Sequence, residues 1–408
     1  MTPLSSRRRP RTTAPAETPL ADSAFRVLLL ATLCAFANYA PLLSVVPLWA
    51  ADGGSQAGGV GAATGVTMAT TVGAQTCIGR LLRRWTLRQL FASGALLLGL
   101  PTLAYPLSSE LAWVLAISAV RGVGFGLVAV AGSALVVELV RAERRGRAVG
   151  WYGVAVGVPQ IVLLPFAVWA AAHLGFTAVF VSTGLLAVLA CPLALTLPKG
   201  TRTAPDSAPD DGIGQPARSV RAAYGPHTAP FTVLAAGACA LGGITAFLPL
   251  VLTAPAAAPL ALFAVSAGIA AGRYLAGAYS DRAGAGGRLG WYVAACALGM
   301  GGLAVLALHP AAAAALAVLP ATCYGLGFGA LQNDTLVLMF QRAAPGEHAA
   351  ASTAWNMGFD GGTGVGAAGV GVLAHAWGVP GAFGVSAVLV AATLPLVPVA
   401  RRARRRAG

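Results

Sequence analysis

Charge is scarce in this chain. Of 408 residues only 10% are Asp, Glu, Lys or Arg, against about 25% in soluble domains. Hydrophobic residues make up 57%, and the mean hydropathy is +0.74. A soluble protein this apolar could not cover its surface with polar groups, so a soluble globular fold is excluded. Other absences narrow the class further. No ten-residue alternating segments mark a transmembrane barrel. No Walker-type phosphate loop is present, so direct ATP-driven work is not expected. The six cysteines (Cys34, Cys77, Cys191, Cys239, Cys296 and Cys323) have neither metal-ligand spacing nor histidine partners. All lie within apolar runs and read as small buried packing residues. Neither a metal nor another cofactor is expected.

What the chain has instead is long apolar runs. Twelve lie near residues 27–50, 58–79, 90–107, 111–137, 148–172, 176–197, 229–253, 258–280, 289–308, 311–340, 349–376 and 379–400. Each approaches the ~20 residues that cross a bilayer core as a helix, the form that satisfies its own backbone in lipid. The expected fold class is all-α and integral to the membrane, with twelve transmembrane helices.

The few charges are unevenly placed. With both termini on one side, that side holds Arg7, Arg8, Arg9 and Arg11, then GRLLRRWTLR, RAERRGR, the central linker, DRAGAGGR, Arg342 and the tail ARRARRRAG. The opposite turns carry Asp52, Glu110, His173 and His309 and no Lys or Arg. Basic residues favour the cytoplasmic side, so both termini are expected there, in a bacterial plasma membrane. This bias accounts for the net charge of +14. Nucleic acid is not an expected partner, because the Arg clusters are split among turns and lack interleaved aromatics. The N-terminal Arg cluster stands about fifteen residues before an apolar run too long for a signal peptide, so a cytoplasmic tail is expected rather than an export signal.

The segment PKGTRTAPDSAPDDGIGQPARSVRAAYGPHT is rich in Pro, Gly and charge and reads as a linker. It divides the chain into an N-terminal tail (1–23), a first six-helix unit (24–197), the linker (198–228), a second six-helix unit (229–400) and a basic tail (401–408). The two units echo each other. SVVPLW around Pro47 and AFLPLV around Pro249 lie 202 positions apart. VRGVGFGL around Arg121 and CYGLGFGA around Tyr324 lie 203 apart, and the turns GRLLRRWT and GAYSDRAG lie 198 apart. Parallel six-helix repeats are a transporter architecture.

On these features the chain resembles the major facilitator superfamily of transporters. The superfamily's signature turn, Gly-x-Leu-x-Asp-Arg-x-Gly-Arg, follows helix two and is often echoed after helix eight. Here the second copy keeps Gly277, Asp281, Arg282 and Gly284. The first keeps Gly79, Leu81 and Arg84, with Arg83 in place of the Asp and Thr86 in place of the Gly. The resemblance implies two six-helix bundles that rock about a midplane site, with these turns as cytoplasmic gates. An acid there would sit near a helix N-terminus, where the dipole favours an anion. Arg83 departs from that pattern, since a cation would be repelled. The plainer alternative is that Asp281 caps a turn and Arg282 follows the positive-inside bias.

Ionisable residues within a span are expensive and usually face a cavity or a partner. Arg121 falls where the superfamily often has a helix-four arginine linked to proton coupling; a fixed ion pair is the alternative. Asp334 and Asp360 are candidates for the titrating carboxylate, with a structural hydrogen-bond role as the alternative. Gly358, Gly362 and Gly366 share one helix quadrant and form a close-packing stripe, and Asp360 points away from it. Arg273 lies near a helix end and could snorkel. Asn38, Tyr39, Gln332, Asn333, Trp355 and Asn356 are candidates for the substrate path. The glycines Gly364, Gly366 and Gly369 lie in an apolar helix without the strand and acid of a dinucleotide site. Asp206, Asp210 and Asp211 sit in the Pro-rich linker rather than on a helix, so a magnesium-diphosphate site is not expected.

The expected activity is secondary transport, not enzymatic catalysis. The partners are a small-molecule substrate, protons and the lipid bilayer, with a monomer sufficient. Gly153, Gly157, Pro159 and Pro165 give helix five part of the superfamily's exporter pattern, which points to proton-coupled efflux of a drug-like compound or metabolite. Uptake of a sugar, organic acid or other nutrient is the alternative.

Overall fold

The computed structural model describes residues 20, 22–141, 144–198, 227–254, 256–310, 314–343 and 348–402. The first nineteen residues and nearly all of the linker, with its three aspartates, lie outside the described residues.

The described residues are helical and carry no strand. We number the helices α1 (Ser23–Asp52), α2 (Ala57–Leu81), α3 (Leu87–Gly99, continued as a 3₁₀ segment, Pro101–Leu107), α4 (Leu111–Leu139), α5 (Arg145–Val158, Pro159–Leu163 and Leu164–Leu174), α6 (Phe176–Leu195), α7 (Thr228–Val251), α8 (Ala257–Ala283), α9 (Leu289–Leu306), α10 (Ala314–Arg342), α11 (His348–Ala391) and α12 (Leu396–Arg402).

Ten of the described helices are long and apolar enough to cross a membrane. Two features separate this number from the twelve apolar runs. The run over α2 is diluted by threonine, glycine and Gln75. The last two runs form two helices, 348–377 and 379–391 (together α11), which meet at the non-helical Gly378 (φ 67°, ψ 169°) and count as one of the ten. Only glycine adopts that backbone at little cost, and Pro380 then restarts the helix.

Local chemistry explains the ends and breaks. The Asp22 side chain accepts from the Ala24 amide at 2.9 Å and starts α1. Thr86 forms a capping box with Gln89 at the start of α3, which gives a local reason for threonine where the signature turn has glycine. In α5, Pro159 has no N–H to donate, and the helix widens into a π turn over Pro159–Leu163.

The two halves of the chain pack on each other along α2–α11 and α1–α7, and the Leu164–Leu174 arm of α5 packs on α8. The α2–α11 seam runs most of the length of α2, from Ala57 against Gly371 to Gln75 against Asp360. On α8, Leu260, Phe263, Ala270, Ala271, Arg273, Tyr274 and Leu275 are exposed, all on one contiguous side of the helix. The first arm of α5 exposes Val149, Trp151, Val154 and Val158.

Candidate site between the two halves

The first half holds a buried cation. Arg121, on α4, is only 3% exposed. Its Nη2 donates to Asn38 Oδ1 at 3.1 Å, and its Nη1 to the Tyr105 hydroxyl at 3.4 Å. Tyr105 in turn shares a hydrogen bond with Ser118 Oγ at 2.9 Å. Asn38 Nδ2 donates to Thr102 Oγ1 at 3.2 Å. Tyr39 stacks flat on Phe125, centroids 3.5 Å apart, and Phe36 meets both rings edge-on. The repeat places Arg121 and Tyr324 at matching positions, and the structure gives both the same kind of task. Tyr324, fully buried on α10, donates its hydroxyl to the Gly237 carbonyl of α7 at 2.8 Å. Each residue ties its own half together.

The second half holds a buried carboxylate at the seam. Gly358, Gly362 and Gly366 of α11 lie against α7, where an added Cβ would meet Phe231, Ala235 and Cys239 respectively. Asp360 faces the other way, as its helix phase requires. It receives Gln75 Nε2, from α2, at 2.8 Å. That bond crosses from one half to the other. A second one does so at Ser44 Oγ, which donates to the Thr245 carbonyl at 2.6 Å. Further along the α2–α11 seam the helices approach closely: a Cβ on Gly61 would run into the Ala367 carbonyl and one on Gly65 would lie 3.1 Å from the Ala368 methyl, while nearer Gln75–Asp360 the Met68 side chain packs on Gly364.

Asp334 sits elsewhere. Its Oδ1 accepts from Ser280 Oγ and its Oδ2 from the Gly286 amide, both at 2.8 Å. Ser280 sits in the last turn of α8 and Gly286 in the connection to α9, so Asp334 anchors the GAYSDRAG stretch to α10. That turn depends on glycine at two points: Gly284 (φ 81°) closes α8, and Gly286 (φ 82°) turns its amide toward Asp334. Arg282 is exposed. The Asp281 side chain lies outside the described residues. Gly277 faces Asn333. In the matching first-half turn, Arg84 is exposed and Gly79 half-buried.

A sequence profile of the Major Facilitator Superfamily matches residues 28–367. The chain belongs to the Major Facilitator Superfamily. A search of curated protein sequences returned no match. Among solved structures, the nucleoside transporter NupG superposes with a TM-score of 0.74 at 13% identity, covering 93% of this chain and 100% of that one. A bacterial homologue of the human lysosomal transporter Spinster, in an inward-facing and occupied conformation, superposes with a TM-score of 0.73 at 14% identity, covering 95% of this chain and 98% of that one. At these identities the likeness is one of fold. The chain is thus a membrane transporter of this superfamily, not an enzyme.

Within this fold the polar candidates separate into groups. Asn38, Tyr39 and Arg121 form one buried cluster. Asp360 reaches α2 instead. Gln332 Oε1 accepts from Arg273 at 3.3 Å. Trp355 Nε1 donates to Thr335 Oγ1 at 3.2 Å, and Asn356 Nδ2 to the Ser352 carbonyl at 2.9 Å. Asn333 Nδ2 is buried without a partner. Of the cysteines, Cys77 is exposed and Cys239 and Cys323 are half-buried, so only Cys34, Cys191 and Cys296 fit the buried packing role. Sequence reasoning missed Gln75, Tyr105 and Ser280. Gln75 had a legible signal, a lone amide in a helix otherwise small and apolar. Tyr105 and Ser280 had none, because their partners are remote in sequence.

Proposed function

We propose that this chain is a proton-coupled secondary transporter of twelve spans in a bacterial plasma membrane, with both termini cytoplasmic. It works as a monomer by alternating access, exporting a small drug-like compound or metabolite in exchange for protons. The observation that carries this reading is the Gln75–Asp360 bond. It joins a buried carboxylate of one half to an amide of the other at 2.8 Å, across a seam rich in glycine and alanine. Adding a proton to Asp360 removes the charge that strengthens the bond. One titration thereby changes how firmly the halves hold together, which is the link a proton-driven carrier requires. The signature turn, held by Asp334, supplies a gate on the arginine-rich side.

The buried amide Asn333 and the indole of Trp355 favour a second reading, uptake of a sugar, organic acid or other nutrient. Purified protein in vesicles with an internal pH dye separates the two. Solute-driven proton movement opposite to the solute, abolished by Asp360→Asn, is expected for export by exchange. Proton and solute moving together establishes uptake instead. Proton movement that persists in Asp360→Asn refutes the role given to that residue.

A further inference from the structure

The buried cation of the first half lacks a buried anion. Arginine carries five N–H donors and is always charged in a protein. Of those five, Arg121 uses two, and both acceptors, Asn38 Oδ1 and the Tyr105 hydroxyl, are neutral. Its Nε is buried without any partner. A buried charge is normally paired, because leaving it unpaired forfeits the interaction that offsets desolvation. The two buried carboxylates are committed elsewhere, Asp360 to Gln75 and Asp334 to the α8–α9 turn.

Arg121 also borders a cavity, with Tyr39, Thr64 and Thr67 in the wall. The polar groups there are a guanidinium, which only donates, and hydroxyls, which can turn a donor toward an anion. The Tyr39 hydroxyl has only the Met68 sulfur, at 3.9 Å, a weak acceptor. The Thr67 hydroxyl is spent on the Ala63 carbonyl, which leaves the Thr64 hydroxyl as a further donor. Leu42, Leu43 and Val46 complete an apolar side. The space open to the centre of a water-sized sphere is ≈ 10 Å³, enough for about one water.

We propose that Arg121 is an anion-binding residue and that the transported solute is a small organic carboxylate. Its carboxylate takes the free edge of the Arg121 guanidinium, with the Tyr39 and Thr64 hydroxyls as further donors, and its apolar part lies against Leu42 and Val46. The cavity seen here is the contracted form of that site. The proposal rests on the transport reading above and adds the charge of the solute to it.

The test uses the purified full chain and matched probes: benzoate, benzamide and benzylamine, and butyrate, butyramide and butylamine. The melting temperature is followed against probe concentration in the native protein and in Arg121→Lys, Arg121→Gln and Asn38→Asp. The last variant places a carboxylate beside the guanidinium, where Asn38 now lies at 3.1 Å. The expected result is stabilisation by the carboxylates and not by their amides or amines. Affinity should fall at least tenfold in Arg121→Gln and in Asn38→Asp, and the empty Asn38→Asp protein should melt higher than the native one. Equal effects of carboxylate and amide, unchanged affinity in Asn38→Asp, or no stabilisation by either carboxylate would each overturn the proposal. Vesicle flux keeps the two readings apart. Transport of a neutral or cationic solute that survives Arg121→Lys removes the anion site and leaves transport standing; carboxylate binding without flux of any probe does the reverse.

Discussion

Removing the amide at Gln75 gives the most direct measure of how the halves are joined. Gln75 Nε2 donates to Asp360 Oδ2 at 2.8 Å, and both residues are buried. A hydrogen bond to a charged group contributes about 1.5–3 kcal/mol, roughly twice a neutral one. Gln75→Leu forfeits that amount but also removes the buried Gln75 Oε1, which has no partner and whose burial costs about 1–3 kcal/mol. The single substitution is therefore ambiguous, its net effect lying between a gain of about 1.5 and a loss of about 2 kcal/mol. The double-mutant cycle with Asp360→Ala is not, because the Oε1 contribution is common to both legs. The coupling between positions 75 and 360 should be about 1.5–3 kcal/mol in denaturant or thermal unfolding at neutral pH. It should shrink to about 1 kcal/mol once the pH is low enough to protonate Asp360, since the bond then becomes neutral. Additivity within about 0.5 kcal/mol at neutral pH would mean that the two side chains do not hold each other, and the account of the seam would fail.

Two further outcomes follow from the same geometry. Asp334→Asn should lower stability by about 1–3 kcal/mol, because it weakens the contacts to Ser280 Oγ and the Gly286 amide, while the pH profile of flux keeps its shape. A flattened profile in Asp334→Asn, with a normal one in Asp360→Asn, would exchange their roles. Gly366→Ala should cost about 1–3 kcal/mol, since its methyl meets the backbone of Cys239. Gly73→Ala, which faces open space, should be neutral or stabilising by up to about 1 kcal/mol; equal losses at both sites would show that helix propensity, not close approach, sets the cost.

Much of the architecture was legible because lipid enforces simple rules. Apolar run length and helix phase located the helices, and phase alone separated the Gly358–Gly362–Gly366 stripe from Asp360. The close of the repeat at Arg121 and Tyr324 was legible as position, though not as chemistry, since one residue is a cation and the other a phenol. What stayed hidden were partners set by tertiary contact. Asp334 and Asp360 looked equivalent in sequence, both being lone acids in late helices. One anchors a turn within its own half and the other reaches across to α2. That difference depends on where residues 280, 286 and 75 arrive in space, which no local pattern encodes. How short the connection between the last two apolar runs is was hidden for a similar reason: glycine followed closely by proline signals the break that Gly378 makes, but not that one residue suffices for it.

The glycine-lined seam has a mechanical consequence. Interlocked side chains act like gear teeth: two helices that mesh must lift apart before they can slide. Where α2 meets α11, Gly61 and Gly65 present backbone to backbone and methyl groups, so that stretch is closer to a plain bearing, with Met68 against Gly364 as a large tooth beyond it. Rolling one half over the other along the glycine stretch meets little side-chain resistance. Speed of switching and choice of position are thereby separated: the smooth track sets how fast the halves can move, and a single polar catch sets where they stop.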